Sequence, residues 1–486
     1  MQRPAFIALL FACLGLLPPD ARGEEAPATI NVSTLASPEW DCAAADRAFV
    51  HWRSTIGTNC GFSAIGNGRI LIGTNNARPR DARITADCGV MMCFDLSDGR
   101  FLWQATHPRL PSFHADLPMT AIACTPAIAG DRAFYTSNRG ELVCVDLLGF
   151  SDGENDGPFV GEQRDEHAAD IVWVLDLIKD LGVHKLDSTD VGNPLPSPLV
   201  VGGSVFTITG NGTDYERVPA PVAPSFVAAD RGSGRVKWSS AAPGGDIIRG
   251  QWASPALVRV AGRACVVFPG GDSRLYGFDP TTGDVIWKLD CVDRSDGSGP
   301  HSFAKQPIFW AAPAVVNDML YIGLSSTFER RGGPHGKLLA IRLSESAGSL
   351  RAKVAWEFRS PRFGGTQATP AVREGVVYAQ GVMGPVFAID GATGHELWTS
   401  DLNADGEAAM YAAPVVHDGM LLVADPEYLN AFSLAPHPQC VGHYYFNSRL
   451  MSSPLVHEGR LYFAVSENLY CLRLPAEILK APAGGR

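Results

Sequence analysis

Phe278-Asp279-Pro280-Thr281-Thr282-Gly283-Asp284-Val285-Ile286-Trp287 decides how this chain folds. A β-rich run ends at Asp279, whose short side chain can bond the turn backbone that follows. Gly283, four residues on, supplies the positive φ that costs other residues energy. A second alternating run then buries Trp287, so the stretch reads as a hairpin. Three more segments align with it without a gap: Asp95, Gly99 and Trp103; Asp230, Gly234 and Trp238; Asp390, Gly394 and Trp398. Asp146 with Trp173 and Arg342 with Trp356 are degenerate copies that hold insertions. Six of the ten tryptophans thus share one slot. They read as packing residues that wedge neighbouring repeat units together.

A second element precedes each hairpin. It is a small residue, proline, a few apolar residues, a polar turn and another apolar strand. Thr125-Pro126, Ser197-Pro198, Ser254-Pro255, Ala312-Pro313, Thr369-Pro370, Ala413-Pro414 and Ser453-Pro454 open seven copies, and Ser63-Ala64-Ile65 fills the slot without proline. Proline is tolerated at the start of a strand, where its missing N–H leaves no ladder gap. Each unit therefore holds four short strands, and eight such units predict an all-β, eight-bladed β-propeller of four-stranded blades. The last copy, from Ser453, lacks a fourth strand. Phe49-Val50-His51-Trp52 can supply it, so an N-terminal strand is expected to close blade 8. The expected organisation is a leader over 1–23, an extension over 24–45, the propeller over 46–476 and a tail over 477–486. Residues 75–86, 149–169 and 325–336 read as loops within blades.

Composition agrees. The chain has 486 residues, 46% of them hydrophobic and 19% charged, which excludes a disordered chain. Its 51 glycines and 35 prolines exceed the usual combined share of about 12% and leave little room for long helices. A net charge of −11 argues against nucleic acid or anionic lipid as the main partner. Arg3, the apolar run Phe6–Leu17 and Ala21-Arg22-Gly23 read as a cleaved secretory signal. The run is too short to span a bilayer, which takes about 20 residues. A lipobox ending at Cys13 is the rival reading, but the apolar run continues past Cys13. Export would place the chain in the periplasm or outside the cell. Ten of the eleven cysteines remain after such a cleavage, and disulfides are allowed there. Cys93, Cys144 and Cys471 nevertheless share one repeat position, and half or more of the ten are expected to be buried free thiols.

The Asp-x3-Gly-x3-Trp hairpin with its preceding proline strand resembles the repeat of pyrroloquinoline-quinone-type eight-bladed propellers, from Trp52 to Leu474. That resemblance implies one of two functions: quinoprotein alcohol dehydrogenase, or the non-catalytic propeller of the outer-membrane β-barrel assembly machinery and its relatives. Gly73-Thr74-Asn75-Asn76, the run from Asp152 to Phe159, and Pro269-Gly270-Gly271-Asp272 are similar to an exported bacterial subfamily. Fold alone does not choose between the two functions.

The dehydrogenase resemblance implies calcium as a Lewis acid on the quinone, a carboxylate base, and a quinone held between a tryptophan and a ring of two adjacent cysteines. This chain has no adjacent cysteines, and neither the calcium ligands nor the base can be placed. No cofactor is therefore expected, with pyrroloquinoline quinone and calcium as the alternative. Asp152, Glu154 and Asp156 imitate the start of a calcium loop, but the twelfth position is Gln163 rather than a bidentate Glu. A solvated acidic turn is the simpler reading. His437 and His443 flank Cys440 without metal-ligand spacing. Asn31-Val32-Ser33 and Asn211-Gly212-Thr213 are sequons. A small-molecule site, if present, belongs where the segments leading into the innermost strands converge on one channel mouth. Those segments hold Arg249, Gln251, Trp252, Phe309, Trp310, Gln367, Tyr411 and Arg449. The simpler reading is that these side chains plug the channel or pack the loops. The leading expectation is a monomeric, exported, non-catalytic scaffold with an unidentified protein partner and no transmembrane segment. The alternative is a divergent quinoprotein oxidoreductase.

Overall fold

A computed structural model describes residues 27–32, 50–111, 118–161, 164–185, 196–214, 217–293, 307–325, 336–346, 348–402, 412–425, 427–434, 437–446, 450 and 452–473. The leader, the tail, Cys42, Tyr411 and Arg449 lie outside them. Eight antiparallel sheets follow one another along the chain. Blade 1 is Cys60–Gly66, Arg69–Asn75, Cys88–Asp95 and Phe101–Pro108. Blade 8 is Leu455–His457, Arg460–Val465 and Asn468–Arg473, closed on its outside by Val50–Thr55. Trp52 pairs with Cys471 there, so the expected closing strand forms and brings a seventh tryptophan into the slot. The first strand of each blade touches the first strand of the next, around to blade 1 again. These strands line the ring axis, and the tryptophan strands lie outside.

Local chemistry makes each turn. Between first and second strands, Asn67-Gly68, Ala261-Gly262, Glu374-Gly375, Asp418-Gly419 and Glu458-Gly459 all have positive φ, as two-residue primed turns require. At the motif hairpin, Asp279 Oδ1 accepts the N–H of Thr281 and of Thr282 at 2.8 and 3.1 Å. Asp230 and Asp390 do the same in their own turns.

The slot also shows how blades join. Each tryptophan lies opposite a small residue of its own blade: Cys93 for Trp103, Cys144 for Trp173, Ala228 for Trp238, Gly277 for Trp287. In five of the blades its indole N–H reaches the next blade and donates to the carbonyl one residue past the motif's turn residue, whereas the Trp287 indole is buried without such a partner. Trp52 donates to Leu96, Trp103 to Leu147, Trp173 to Arg231, Trp238 to Pro280 and Trp356 to Gly391, at 2.9–3.1 Å. The ring then packs on that turn's glycine. A Cβ on Gly283 would lie 2.6 Å from Trp238, and its φ is +77°. Gly283→Ala is therefore expected to cost about 2–4 kcal/mol, combining backbone strain with overpacking. Denaturant titration against Gly262→Ala checks this, because Gly262 has a similar φ but an open neighbourhood. Equal losses in the two variants would show that the tryptophan contact contributes nothing.

Two blades depart from the four-strand plan. Ile308–Phe309 pairs with the far end of Met319–Ser325 in blade 5. Ala28–Ile30, within the stretch read as an extension, adds a parallel strand outside Glu396–Ser400 of blade 6. The nine described cysteines are buried and uncross-linked. Burial pushes the Cys60 and Cys265 thiols up to about 12, so they pack as small apolar residues. Among the described residues, no helix is long and apolar enough to cross a membrane.

Candidate functional site

A four-stranded antiparallel blade returns the chain to one face after its second and fourth strands. The loops between second and third strands, and the segments leading into each innermost strand, therefore share that face. It carries a ring of buried polar side chains that includes Asn75, Asn138, Asn211, Asp272, Ser325 and Gln380.

The predicted residues of blades 4 and 5 do come together here. Trp252 and Trp310 stack with centroids 4.5 Å apart and planes 24° apart. Ile248 and Ile308 complete an apolar cluster with them, and the Arg249 guanidinium carbon stands 6.0 Å from the Trp252 ring centre. The Trp310 indole donates to the Ser325 carbonyl at 3.2 Å. Phe309 is buried against blade 5.

Gln251 links blades rather than facing a ligand. Its amide donates to the Asn211 carbonyl at 2.9 Å and accepts the Gly271 N–H at 3.2 Å. A Cβ on Gly271 would stand 2.7 Å from Gln251 Cγ, so the Gly-Gly of the Pro269–Asp272 run makes room for that contact. Gln367, leading into blade 6, is half-buried with its Oε1 unpartnered. The Oγ of Ser325 and the Oε1 of Gln380 are likewise buried without a hydrogen bond. A Cβ on Gly365 would lie 2.9 Å from that of Ser325, so the segment leading into blade 6 packs on the end of the second strand of blade 5.

Sequence reasoning passed over a second polar cluster on this face. His107 ends blade 1; its Nδ1 lies 3.0 Å from Glu141 Oε2 and its Nε2 2.8 Å from the Tyr135 hydroxyl. Ser137 Oγ donates to Glu141 Oε2 at 2.7 Å, and Arg139 Nε to Oε1 at 3.0 Å. Burial raises the Glu141 carboxyl, but the His107 and Ser137 hydrogen bonds and the His107 and Arg139 charges outweigh it, and it falls to about 2. Burial holds the Tyr135 phenol well above its ordinary value. The cluster ties blade 1 to blade 2. No local motif signals it, because its members come from separate strands.

The acidic turn lies on the opposite face. Asp152 and Asp156 approach each other, but their third partner is Asp146 of the repeat turn, with ligand atoms within 4.8 Å of one another. Glu154 instead uses its backbone N–H to cap Asp152 at 2.9 Å. Arg132 already ion-pairs with Asp146 and Asp156, so a cation would have to displace a guanidinium. Burial raises the Asp146 carboxyl to about 6. An open cleft of about 520 Å³ between blades 2 and 3 borders this cluster, with Arg132, Arg231 and Asp230 on its walls.

A closed ring with its lead-in segments packed on one face is the architecture of a propeller-type binding or catalytic platform. The chain belongs to the pyrroloquinoline-quinone-like β-propeller repeat family. The matching family model is described as outer membrane protein assembly factor BamB, and it covers residues 184–326 and 336–433. Among solved structures, BamB from Moraxella catarrhalis matches with a TM-score of 0.55 at 16% identity, over 89% of this chain and 98% of that one. Sqt1 of Chaetomium thermophilum, solved bound to the N-terminus of ribosomal protein L10, matches with a TM-score of 0.52 at 11% identity, over 87% of this chain and 99% of that one. At such identities these likenesses show the fold alone. A curated relative, tetrathionate hydrolase of Acidithiobacillus ferrooxidans, is 23% identical over 270 residues. That match takes in 49% of this chain and 47% of the relative, so the chain spans about half of that protein's length.

Proposed function

We propose that this chain is a non-catalytic protein-binding propeller of the bacterial envelope. The observation that carries the reading is the closed Trp252–Trp310 stack. A planar quinone sandwiched between two rings needs about 7 Å between their faces, two van der Waals thicknesses of roughly 3.5 Å each, whereas these centroids are 4.5 Å apart. Both rings are buried, Gln251 is committed to Asn211 and Gly271, and the chain has no adjacent cysteines. These residues do not fit the quinone, and no catalytic step is assigned to them. The BamB family match supports a role in binding envelope proteins, and the leader read at residues 1–23 would place the chain there. The partner surface would be the loop at 75–86 together with the channel face on which it lies.

The experiment titrates the purified mature chain with pyrroloquinoline quinone and calcium, following quinone absorbance and alcohol-dependent dye reduction, with tetrathionate consumption assayed in parallel. No saturable absorbance change and no turnover are expected. Replacement of 75–86 by a short glycine-serine loop is expected to weaken cross-linking to a defined envelope partner about tenfold. Quinone binding with turnover, or consumption of tetrathionate, would overturn the reading.

A further inference from the structure

The strand outside blade 6 belongs to the N-terminal segment, not to the blade's own repeat. Ala28, Thr29 and Ile30 pair in parallel with Trp398, Thr399 and Ser400. Two hydrogen bonds extend the pairing. The Asp401 N–H donates to the Ile30 carbonyl at 3.0 Å, and the Val32 N–H donates to the Asp401 carboxylate. Ile30 and Val32 stand two residues apart, on the same side of the strand. Both are buried in one cluster with Trp398 of blade 6 and Leu421, Val423, Phe432 and Cys440 of blade 7.

The turn that this junction presents differs from the others. Trp356 packs on the turn glycine of the next blade, Gly394. The blade 7 turn between Ser433 and Gln439 has no glycine and no motif aspartate, and its fourth strand has no tryptophan. Gly442 stands in that strand opposite Ala431. Trp398 of blade 6 fills the slot at this junction and meets Phe432 of blade 7 with ring centres 5.8 Å apart, and Ile30 and Val32 pack in the same cluster.

We propose that the outer edge of blade 6, with the adjoining cleft to blade 7, is a peptide-binding edge that residues 28–32 occupy in cis. The partner it fits is an extended segment of another protein, with β-branched apolar residues two apart on one face, running parallel to residues 396–400. Main-chain pairing supplies affinity at such an edge, and the side-chain pockets supply selectivity. The tethered strand competes at high effective concentration, so a partner segment gains access when residues 28–32 lift away. This goes beyond the channel-face reading and needs neither the mouth nor the loops.

The test uses the full mature chain with a protease site inserted after Trp40, cleaved after folding. A labelled synthetic peptide of residues 26–34 is followed by anisotropy, and the fate of the released native segment by gel filtration with mass spectrometry. Two results are expected. The cleaved segment either stays bound through filtration or exchanges for labelled peptide saturably, and the uncleaved chain takes up about tenfold less peptide. Peptides carrying Ile30→Asp or Val32→Asp bind about tenfold more weakly, as does wild-type peptide to cleaved Asp401→Ala protein. The proposal fails if the segment leaves and no peptide binds up to about 1 mM. It also fails if cleaved and uncleaved chains take up peptide equally, or if the aspartate peptides bind like wild type.

Discussion

Trp103→Ala is expected to destabilise the propeller by about 3–5 kcal/mol, the usual cost of truncating a large buried aromatic. Trp103 is 2% exposed, and its cluster spans two blades, with Leu71 and Met91 on one side and Tyr135, Val145 and Leu147 on the other. A cavity there falls at a blade junction, where the ring cannot collapse inward without opening elsewhere. The truncation also removes the donor to the Leu147 carbonyl. Trp103→Phe separates the two contributions. It keeps most of the ring and loses the hydrogen bond, with an expected loss of about 1–2 kcal/mol. Unfolding in urea followed by circular dichroism distinguishes these outcomes. An alanine variant within about 1 kcal/mol of wild type would mean that the tryptophan slot fills space without joining the blades.

The second large effect is expected at Glu141. Its carboxyl sits at about 2, well below its ordinary value of 4.5. A folded value below the unfolded one adds stability above the unfolded value and loses it as pH falls through the folded one. The shift corresponds to about 3 kcal/mol, fully present above pH 4.5 and lost on acidification toward pH 2. Glu141→Gln should therefore cost about 3 kcal/mol at pH 7, since it strands His107, Ser137 and Arg139 with a neutral partner. The gap between wild type and variant should close as the pH is lowered toward 2. Paired urea titrations from pH 7 to pH 2.5 measure it. A gap that stays constant with pH would show that Glu141 acts through packing and not through its charge.

The repeat hairpins were legible because their determinants are local. Asp279, Gly283 and Trp287 lie within one turn and its flanks, so their spacing alone specifies the backbone. The closing strand around Trp52 was legible by subtraction, since blade 8 lacked a fourth strand. The packing role of Cys93, Cys144 and Cys471 followed from their shared register opposite the tryptophans. The site was less legible. Arg249, Trp252 and Trp310 could be placed on one face from topology, but the stack of the two indoles could not. Gln251 could be placed at the mouth, but its ties to Asn211 of blade 3 and Gly271 of blade 4 could not be read. Asp152 and Asp156 read as a loop of their own, whereas Asp146 from the preceding strand completes the group and Arg132 neutralises it.

By itself the sequence determined the repeat, the blade count, the turn chemistry and the position of ring closure. Each of these rests on residues a few positions apart, or on a period repeated along the chain. Only the tertiary structure decided which side chains from different blades meet. The closed Trp252–Trp310 pair, the His107–Tyr135–Glu141 cluster and the strand of residues 28–32 on blade 6 join segments that lie far apart in sequence. Their contacts depend on the curvature of the closed ring and on where the N-terminal segment lands on it, and a linear pattern does not encode either.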